Sequence, residues 1–294
     1  MPARFSVPNP ALVKASPLLF SHPPGTCVRA LFLSAVVLLL CGGCGLLRGP
    51  QTDARLLVWA DEFDGHEPPN EAKWTYDLGG KGWGNNELQH YTSRLENVRL
   101  VNGKLLIEAR REAYQGNAYT SARLVTRGRA SWGPGHRIEV RAKLPRGRGT
   151  WPAIWMLGDN IGEVGWPTCG EIDIMEHVGY APDSLFGTVH TKAFNHMLGT
   201  QDGGATRVPG MEGSYHVYAV DWSRDRIHFL VDGRVYHTFT RRPDATVAEW
   251  PFDQPHHLLL NLAVGGNWGG RYGVDETIWP QRLLVDWVRV YRTE

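Results

Sequence analysis

The sequence predicts an all-β fold, a sandwich or barrel of short strands, on three observations. Short apolar or alternating segments recur from residue 55 to the end, Gly, Pro, Asn and Asp separate them, and no long stretch keeps a helical apolar period. The expected strands include 56–59, 104–109, 137–143, 172–175, 214–220, 226–231, 257–262 and 283–291. Two tight hairpins stand out. Asp232-Gly233 lies between Ile227-His228-Phe229-Leu230-Val231 and Arg234-Val235-Tyr236-His237, and Asn102-Gly103 lies between 98–101 and 105–107. Both dipeptides supply the positive φ that a two-residue turn needs. Neither a repeat nor a second linker interrupts the pattern, so one domain spans 55–294.

The residues before that domain read as an export leader. Residues 31–40 (LFLSAVVLLL) form an apolar run interrupted only by Ser34, with Arg29 upstream and Cys41-Gly42-Gly43-Cys44 behind it. Ten residues are too few to span a bilayer but suit the apolar core of a signal peptide. The segment 1–43 is therefore assigned to the leader and 44–54 to a polar tether. Gly42-Gly43-Cys44 is similar to a lipoprotein cleavage signal, which would leave Cys44 lipidated and the protein on the outer membrane or cell surface. Secretion without lipid is the alternative.

Cleavage before Cys44 removes Arg4, Lys14 and Arg29 and no acidic residue, turning a formal charge of +1 into −2. That balance, with no sustained basic block, excludes an electrostatically driven nucleic-acid binder. Only Cys169 would remain free in the body of the domain, so no internal disulfide is available despite the oxidising destination.

The chemistry centres on Gly170-Glu171-Ile172-Asp173-Ile174-Met175-Glu176. In a strand Glu171 and Asp173 share a face while Ile172 and Ile174 enter the core. Simple alternation would bury Glu176, at considerable cost. A β-bulge with Met175 as the inserted residue returns Glu176 to the carboxylate face. Two glutamates around an aspartate are what retaining glycoside hydrolysis requires: an ionised nucleophile, a protonated acid, and a group that tunes them. Glu171 is assigned as nucleophile, Glu176 as general acid and then base, and Asp173 as the tuning partner. An exposed acidic strand edge or a metal site is the competing reading. All twelve tryptophans lie after residue 58, and those outside the core suit sugar rings, whose C–H faces pack on aromatic faces.

Beyond this local reading, the sequence resembles glycoside hydrolase family 16, in its laminarinase-like bacterial branch. The resemblance rests on Trp166-Pro167-Thr168-Cys169 leading into the acidic segment and on Gly82-Trp83-Gly84-Asn85-Asn86-Glu87-Leu88-Gln89. Gly149-Thr150-Trp151-Pro152-Ala153-Ile154-Trp155-Met156, Gly187-Thr188-Val189-His190, Gly265-Gly266-Asn267-Trp268-Gly269 and Val285-Asp286-Trp287-Val288-Arg289-Val290-Tyr291 extend it. It implies a β-jelly-roll of two bent antiparallel sheets with a concave substrate cleft. It also implies retaining endo-hydrolysis of β-1,3-glucosidic bonds, with mixed β-1,3/1,4-glucans as additional substrates. The inserted Met175 resembles the laminarinase-like branch rather than the uninterrupted Glu-x-Asp-x-Glu of lichenases. Agar- or carrageenan-directed hydrolysis, transglycosylation, and a non-enzymatic carbohydrate-binding role remain alternatives.

The same resemblance marks Asn86 and Glu87 as hydroxyl partners on the glycone side, Trp166 as a stacking residue, and His190 as a neighbour of the acid/base. Arg123 is a sugar or carboxylate contact, with a surface ion pair as its alternative. Trp151, Trp155 and Trp268 divide between core and cleft, Trp268 being placed in the cleft because Gly265, Gly266, Gly269 and Gly270 would leave room for a ligand. No cofactor is expected in catalysis. A structural calcium ion, held by Glu62, the Gly103 carbonyl and Asp286, is implied by the family, and carboxylate and carbonyl oxygens suit that ion. The expected partner is the glucan chain, bound by a monomer.

Overall fold

The computed structural model describes residues 55–293, whose alternating segments form seventeen strands. The leader, Cys44 and the tether lie outside the described residues. In chain order the strands are β1 (Leu56–Asp61), β2 (Thr75–Tyr76), β3 (Gln89–Tyr91), β4 (Val98–Leu100), β5 (Leu105–Tyr114), β6 (Asn117–Ser121) and β7 (Arg123–Val125). There follow β8 (His136–Lys143), β9 (Thr150–Gly158), β10 (Glu171–Glu176), β11 (Ser184–His190) and β12 (Asp202–Arg207). The last five are β13 (His216–Trp222), β14 (Arg226–Val231), β15 (Arg234–Thr240), β16 (His256–Val264) and β17 (Gln281–Arg292).

These strands make two sheets. The larger runs β15-β14-β13-β8-β17-β5-β6-β3, with β1 added on β17 and β4 on β5, and the smaller runs β12-β11-β10-β9-β16-β7-β2. Pairing is antiparallel throughout except between the short β3 and β6, which run parallel. The arrangement is the all-β sandwich expected. Both hairpin turns form as the dipeptides require: φ is 49° and 77° at Asp232 and Gly233, and 52° and 68° at Asn102 and Gly103.

The core lies between the sheets. Alternate residues of facing strands meet there, among them Ile138 and Val140 of β8, Ile154 and Met156 of β9, Ile172 and Ile174 of β10, and Leu258, Leu260 and Leu262 of β16. Each such side chain contributes about 1.5–3 kcal/mol on burial. Six of the twelve tryptophans belong to this core, with Trp74, Trp132, Trp222 and Trp250 buried and Trp59 and Trp279 packed against it. The other face of the seven-stranded sheet is therefore left to carry polar groups. Register places Arg123 opposite Asn261, Asn261 opposite Ala153, and Trp155 opposite Asp173 on that face. A smaller apolar cluster of Val125, Leu157, Cys169 and Leu259 supports Trp155 and Trp166 there.

Candidate active site

Strand β10 carries the acidic segment at the middle of the smaller sheet. Against β9 its register moves from Asp173–Trp155 to Met175–Ile154, and against β11 from Asp173–Thr188 to Glu176–Phe186. One extra residue is thus absorbed between Asp173 and Glu176. Ile174 and Met175, in succession, both enter the core at 0% exposure. Two inward residues in a row restore the phase, and Glu176 returns to the face of Glu171 and Asp173. The bulge thus spans Ile174 and Met175 rather than Met175 alone.

Each glutamate receives an indole N–H. Trp166 Nε1 donates to Glu171 Oε2 at 2.9 Å, and Trp151 Nε1 donates to Glu176 Oε1 at 2.9 Å. His190, opposite Glu171 on β11, brings its Nε2 to 3.4 Å from Asp173 Oδ2 and 3.7 Å from Glu171 Oε1. Burial pushes the Glu171 carboxyl up to about 8, helped by repulsion from Glu176 and opposed by the Trp166 bond. Glu176 rises to about 7, again chiefly by burial. Asp173 is raised by burial and then by both glutamates. Burial drives His190 the other way, to about 3, with His196 adding to the effect, so its imidazole is neutral. Asp173 is buried and the two glutamates are partly buried beside it, close enough to share protons at neutral pH; burial and repulsion hold the proton more firmly on Glu171 than on Glu176, so the retaining mechanism needs the shared proton to move to Glu176 when a substrate is bound.

Beside this row a polar network covers β16, β7 and the loop after β2. Trp155 Nε1 donates to Asn261 Oδ1 at 2.6 Å, Asn261 Nδ2 to the Tyr91 hydroxyl at 3.1 Å, and that hydroxyl to Glu87 Oε2 at 3.2 Å. Gln89 Nε2 also donates to Glu87 Oε2, at 2.7 Å. Burial nevertheless raises the Glu87 carboxyl. Arg123 lies with its guanidinium 4.6 Å from the Trp155 ring and 4.9 Å from the Trp83 ring, and its Nε is 3.1 Å from Asp77 Oδ2. The ion pair and the placement beside Trp155 therefore coexist at Arg123. Asn86, exposed, donates from Nδ2 to Asn267 Oδ1 at 2.9 Å and joins the two rim loops.

Trp268 stands at the other end of the row, edge-on to Trp151 at 5.7 Å and to Phe186 at 5.0 Å. Its neighbouring glycines serve packing, not ligand space. A Cβ on Gly269 would lie 2.7 Å from the Trp151 Cβ, one on Gly265 2.7 Å from Leu88 Cδ1, and Gly265 and Gly266 have φ of 70° and 75°. The glycines let the 265–270 turn close on Trp151, the indole that bonds Glu176.

This geometry has relatives. The family model for glycosyl hydrolases family 16 matches residues 85–289. The β-glucanase of Rhodothermus marinus is 54% identical over 274 residues, 90% of this chain and 94% of its own length. This chain belongs to glycosyl hydrolases family 16. Among solved structures, the laminarinase from Rhodothermus marinus superposes with a TM-score of 0.79 at 57% identity, covering 81% of this chain and 97% of that one. SCLam, a non-specific endo-β-1,3(4)-glucanase of the same family, gives a TM-score of 0.78 at 46% identity over 83% of this chain and 92% of its own.

In this family 16 enzyme the expected calcium ligands do not fit the ion. Arg289 binds both Glu62 oxygens, at 2.8 and 2.9 Å, Lys104 Nζ sits 2.6 Å from Asp286 Oδ1, and Arg141 takes the other Asp286 oxygen. Gly103 occupies the turn that delivers that lysine. A hard cation needs oxygens whose lone pairs are free to coordinate, and the anionic ones count most. Here fixed cations already hold them, and three positive side chains would repel a fourth charge.

Sequence reasoning assigned no role to several members of the site: Asp77, Trp83, Tyr91, Asn261 and His196, although Trp83 and Asn261 lie within or beside segments that carry the family resemblance. Trp83 had a signal, since glycines on both sides let the chain turn sharply, and the residue itself has a φ of 48°. His196, 5.1 Å from Trp166 and 5.2 Å from His190, comes from a loop whose approach no local pattern marks.

Proposed function

We propose that this family 16 enzyme cleaves internal β-1,3-glucosidic bonds of laminarin-like glucans with retention, and accepts mixed β-1,3/1,4-glucans as well. The observation that carries the reading is the bulged β10, which turns Glu171, Asp173 and Glu176 to one face beside Trp166 and Trp151. The relatives that superpose on this chain, a laminarinase and an endo-β-1,3(4)-glucanase, support the choice of bond.

In the first step the Glu171 carboxylate attacks the anomeric carbon, the glycosidic C–O bond breaks, and the Glu176 proton passes to the departing oxygen. In the second, Glu176 takes a proton from water, whose oxygen displaces Glu171 from the same carbon. Asp173 and His190 position Glu171. Arg123, Trp155 and the Glu87 network bind glycone hydroxyls, and Trp166 and Trp268 supply apolar walls. A leader ending at 43 supports export, with Cys44 as the lipid attachment point or with secretion without lipid. Among the described residues no helix is long and apolar enough to cross a membrane.

Product analysis over time tests this on a linear β-1,3-glucan, a mixed-linkage glucan, agarose and carrageenan in parallel. Rapid conversion of the first to a ladder of oligosaccharides is expected, absent in Glu171→Ala and, in Glu176→Ala, recovered only on substrates with activated leaving groups. Products from a galactan alone would move the enzyme to another substrate branch. Substantial turnover by Glu171→Ala would remove its role as nucleophile.

A further inference from the structure

We propose that Glu171, Asp173 and His190 also form a binding site for a zinc-class divalent cation, and that the cation blocks the glucanase from within its own catalytic row. One donor atom from each residue lies within 4.8 Å of the others, and among the described residues no other trio of potential ligands is so close. His190 Nε2 is 3.4 Å from Asp173 Oδ2 and 3.7 Å from Glu171 Oε1. Metal–donor bonds of about 2.0–2.1 Å in tetrahedral zinc put neighbouring donors roughly 3.3–3.4 Å apart. The two edges that start from His190 Nε2 are thus close to those of a zinc tetrahedron, and the third, between the two carboxylates, is within 4.8 Å, so a modest approach of Glu171 and Asp173 would complete the set.

A second observation is independent of spacing. Asp173 is 3% exposed, yet its Oδ2, the atom that faces His190 Nε2, has no hydrogen-bond partner. Buried polar atoms are ordinarily satisfied, and an unused carboxylate oxygen aimed at an imidazole and a second carboxylate is a donor set lacking its acceptor. One nitrogen with two carboxylates selects zinc or copper over calcium and magnesium, which favour oxygen-only shells. Elsewhere among the described residues histidine meets carboxylate in pairs, as His177 with Glu212, His216 with Asp232, His237 with Asp202 and His257 with Asp159.

Binding itself does not depend on the proposed reaction. The inhibitory consequence does, because it requires Glu171 to be needed in turnover.

Isothermal titration of the full chain with Zn²⁺ alone tests the site, in the wild type and in His190→Ala, His190→Gln and Asp173→Asn, each checked for an unchanged circular dichroism spectrum. The expectation is one wild-type site of micromolar Kd, weakened at least tenfold in every folded variant and unaffected by millimolar Ca²⁺ or Mg²⁺. Hydrolysis of β-1,3-glucan by the wild type should fall with the same half-saturation. Zinc affinity unchanged in the His190 variants, or no wild-type binding up to millimolar zinc, overturns the proposal. Zinc bound as expected while hydrolysis continues upholds the site and overturns the role given to Glu171.

Discussion

Replacing Glu171 by glutamine should make the protein more stable in alkali than the wild type, by an amount the site itself sets. The carboxyl is buried, and its pKa rises from 4.5 in the unfolded chain to about 8 in the fold. A folded-state pKa above the unfolded value means the wild type has its full stability below about pH 4.5 and loses it progressively up to about pH 8. At about 1.4 kcal/mol per unit the rise corresponds to a ceiling of about 5 kcal/mol. Part of it is repulsion from Glu176, which relaxes when Glu176 holds the shared proton, so about 2–5 kcal/mol is the working range. Glutamine keeps the shape and cannot ionise. For a domain of this size about 1 kcal/mol moves the melting temperature by about 2–4 °C, so the Glu171→Gln gain should be small at pH 4.5 and on the order of 10 °C at pH 8.5. Differential scanning calorimetry of both proteins at the two pH values measures it, and the contributions of groups not coupled to Glu171 cancel in the difference, leaving the response of the Glu171–Asp173–Glu176 row. An equal gain at both pH values would refute the argument that burial and repulsion set the Glu171 proton affinity.

Three further outcomes follow from other contacts. Trp166→Phe removes the indole donor from Glu171 and, at about 1.5–3 kcal/mol for a bond to a charged group, should lower kcat/KM about 10- to 100-fold at neutral pH. The acidic limb of the pH profile should move upward, and an unmoved limb would leave Trp166 a wall only. Gly187→Ala would put a Cβ against the Tyr236 hydroxyl and 2.7 Å from the Phe229 ring, costing about 1–3 kcal/mol in urea denaturation. Adding Tyr236→Phe should recover part of the loss, and no recovery would place the strain elsewhere. Calcium or a chelator should leave the melting temperature unchanged, because Glu62 and Asp286 are bound by Arg289, Lys104 and Arg141; a rise of several degrees with calcium would show that these pairs exchange.

Much of the strand framework was legible because its determinants are local. Alternation and the two turn dipeptides placed β14, β15 and the β4–β5 hairpin closely, and the need to keep Glu176 out of the core pointed to a bulge. Partners distant in sequence were not legible. Nothing near Arg123 announces that Trp83, Trp155 and Asp77 will surround it, since these come from three separate segments. The family's calcium ligands were carried over by position. The cations that occupy them here, Lys104, Arg141 and Arg289, act through side-chain reach, which a motif does not encode. The 265–270 glycines stand out in sequence as a group that suggests open space, because composition cannot distinguish a glycine that faces a ligand from one that faces a tryptophan.

The bulge in β10 also bears on how this strand tolerates changes in length. Losing one residue from a regular strand turns every later side chain to the opposite face. Here the extra residue is already absorbed by Ile174 and Met175 entering the core together, so deleting one of them would restore plain alternation and leave the final glutamate on the same face as Glu171 and Asp173. The parity of the strand is protected at this one point. Bulged and uninterrupted acidic segments are therefore neighbours in sequence space, separated by a single codon, and exchanging one for the other changes the volume packed beneath the carboxylates without reversing where they point.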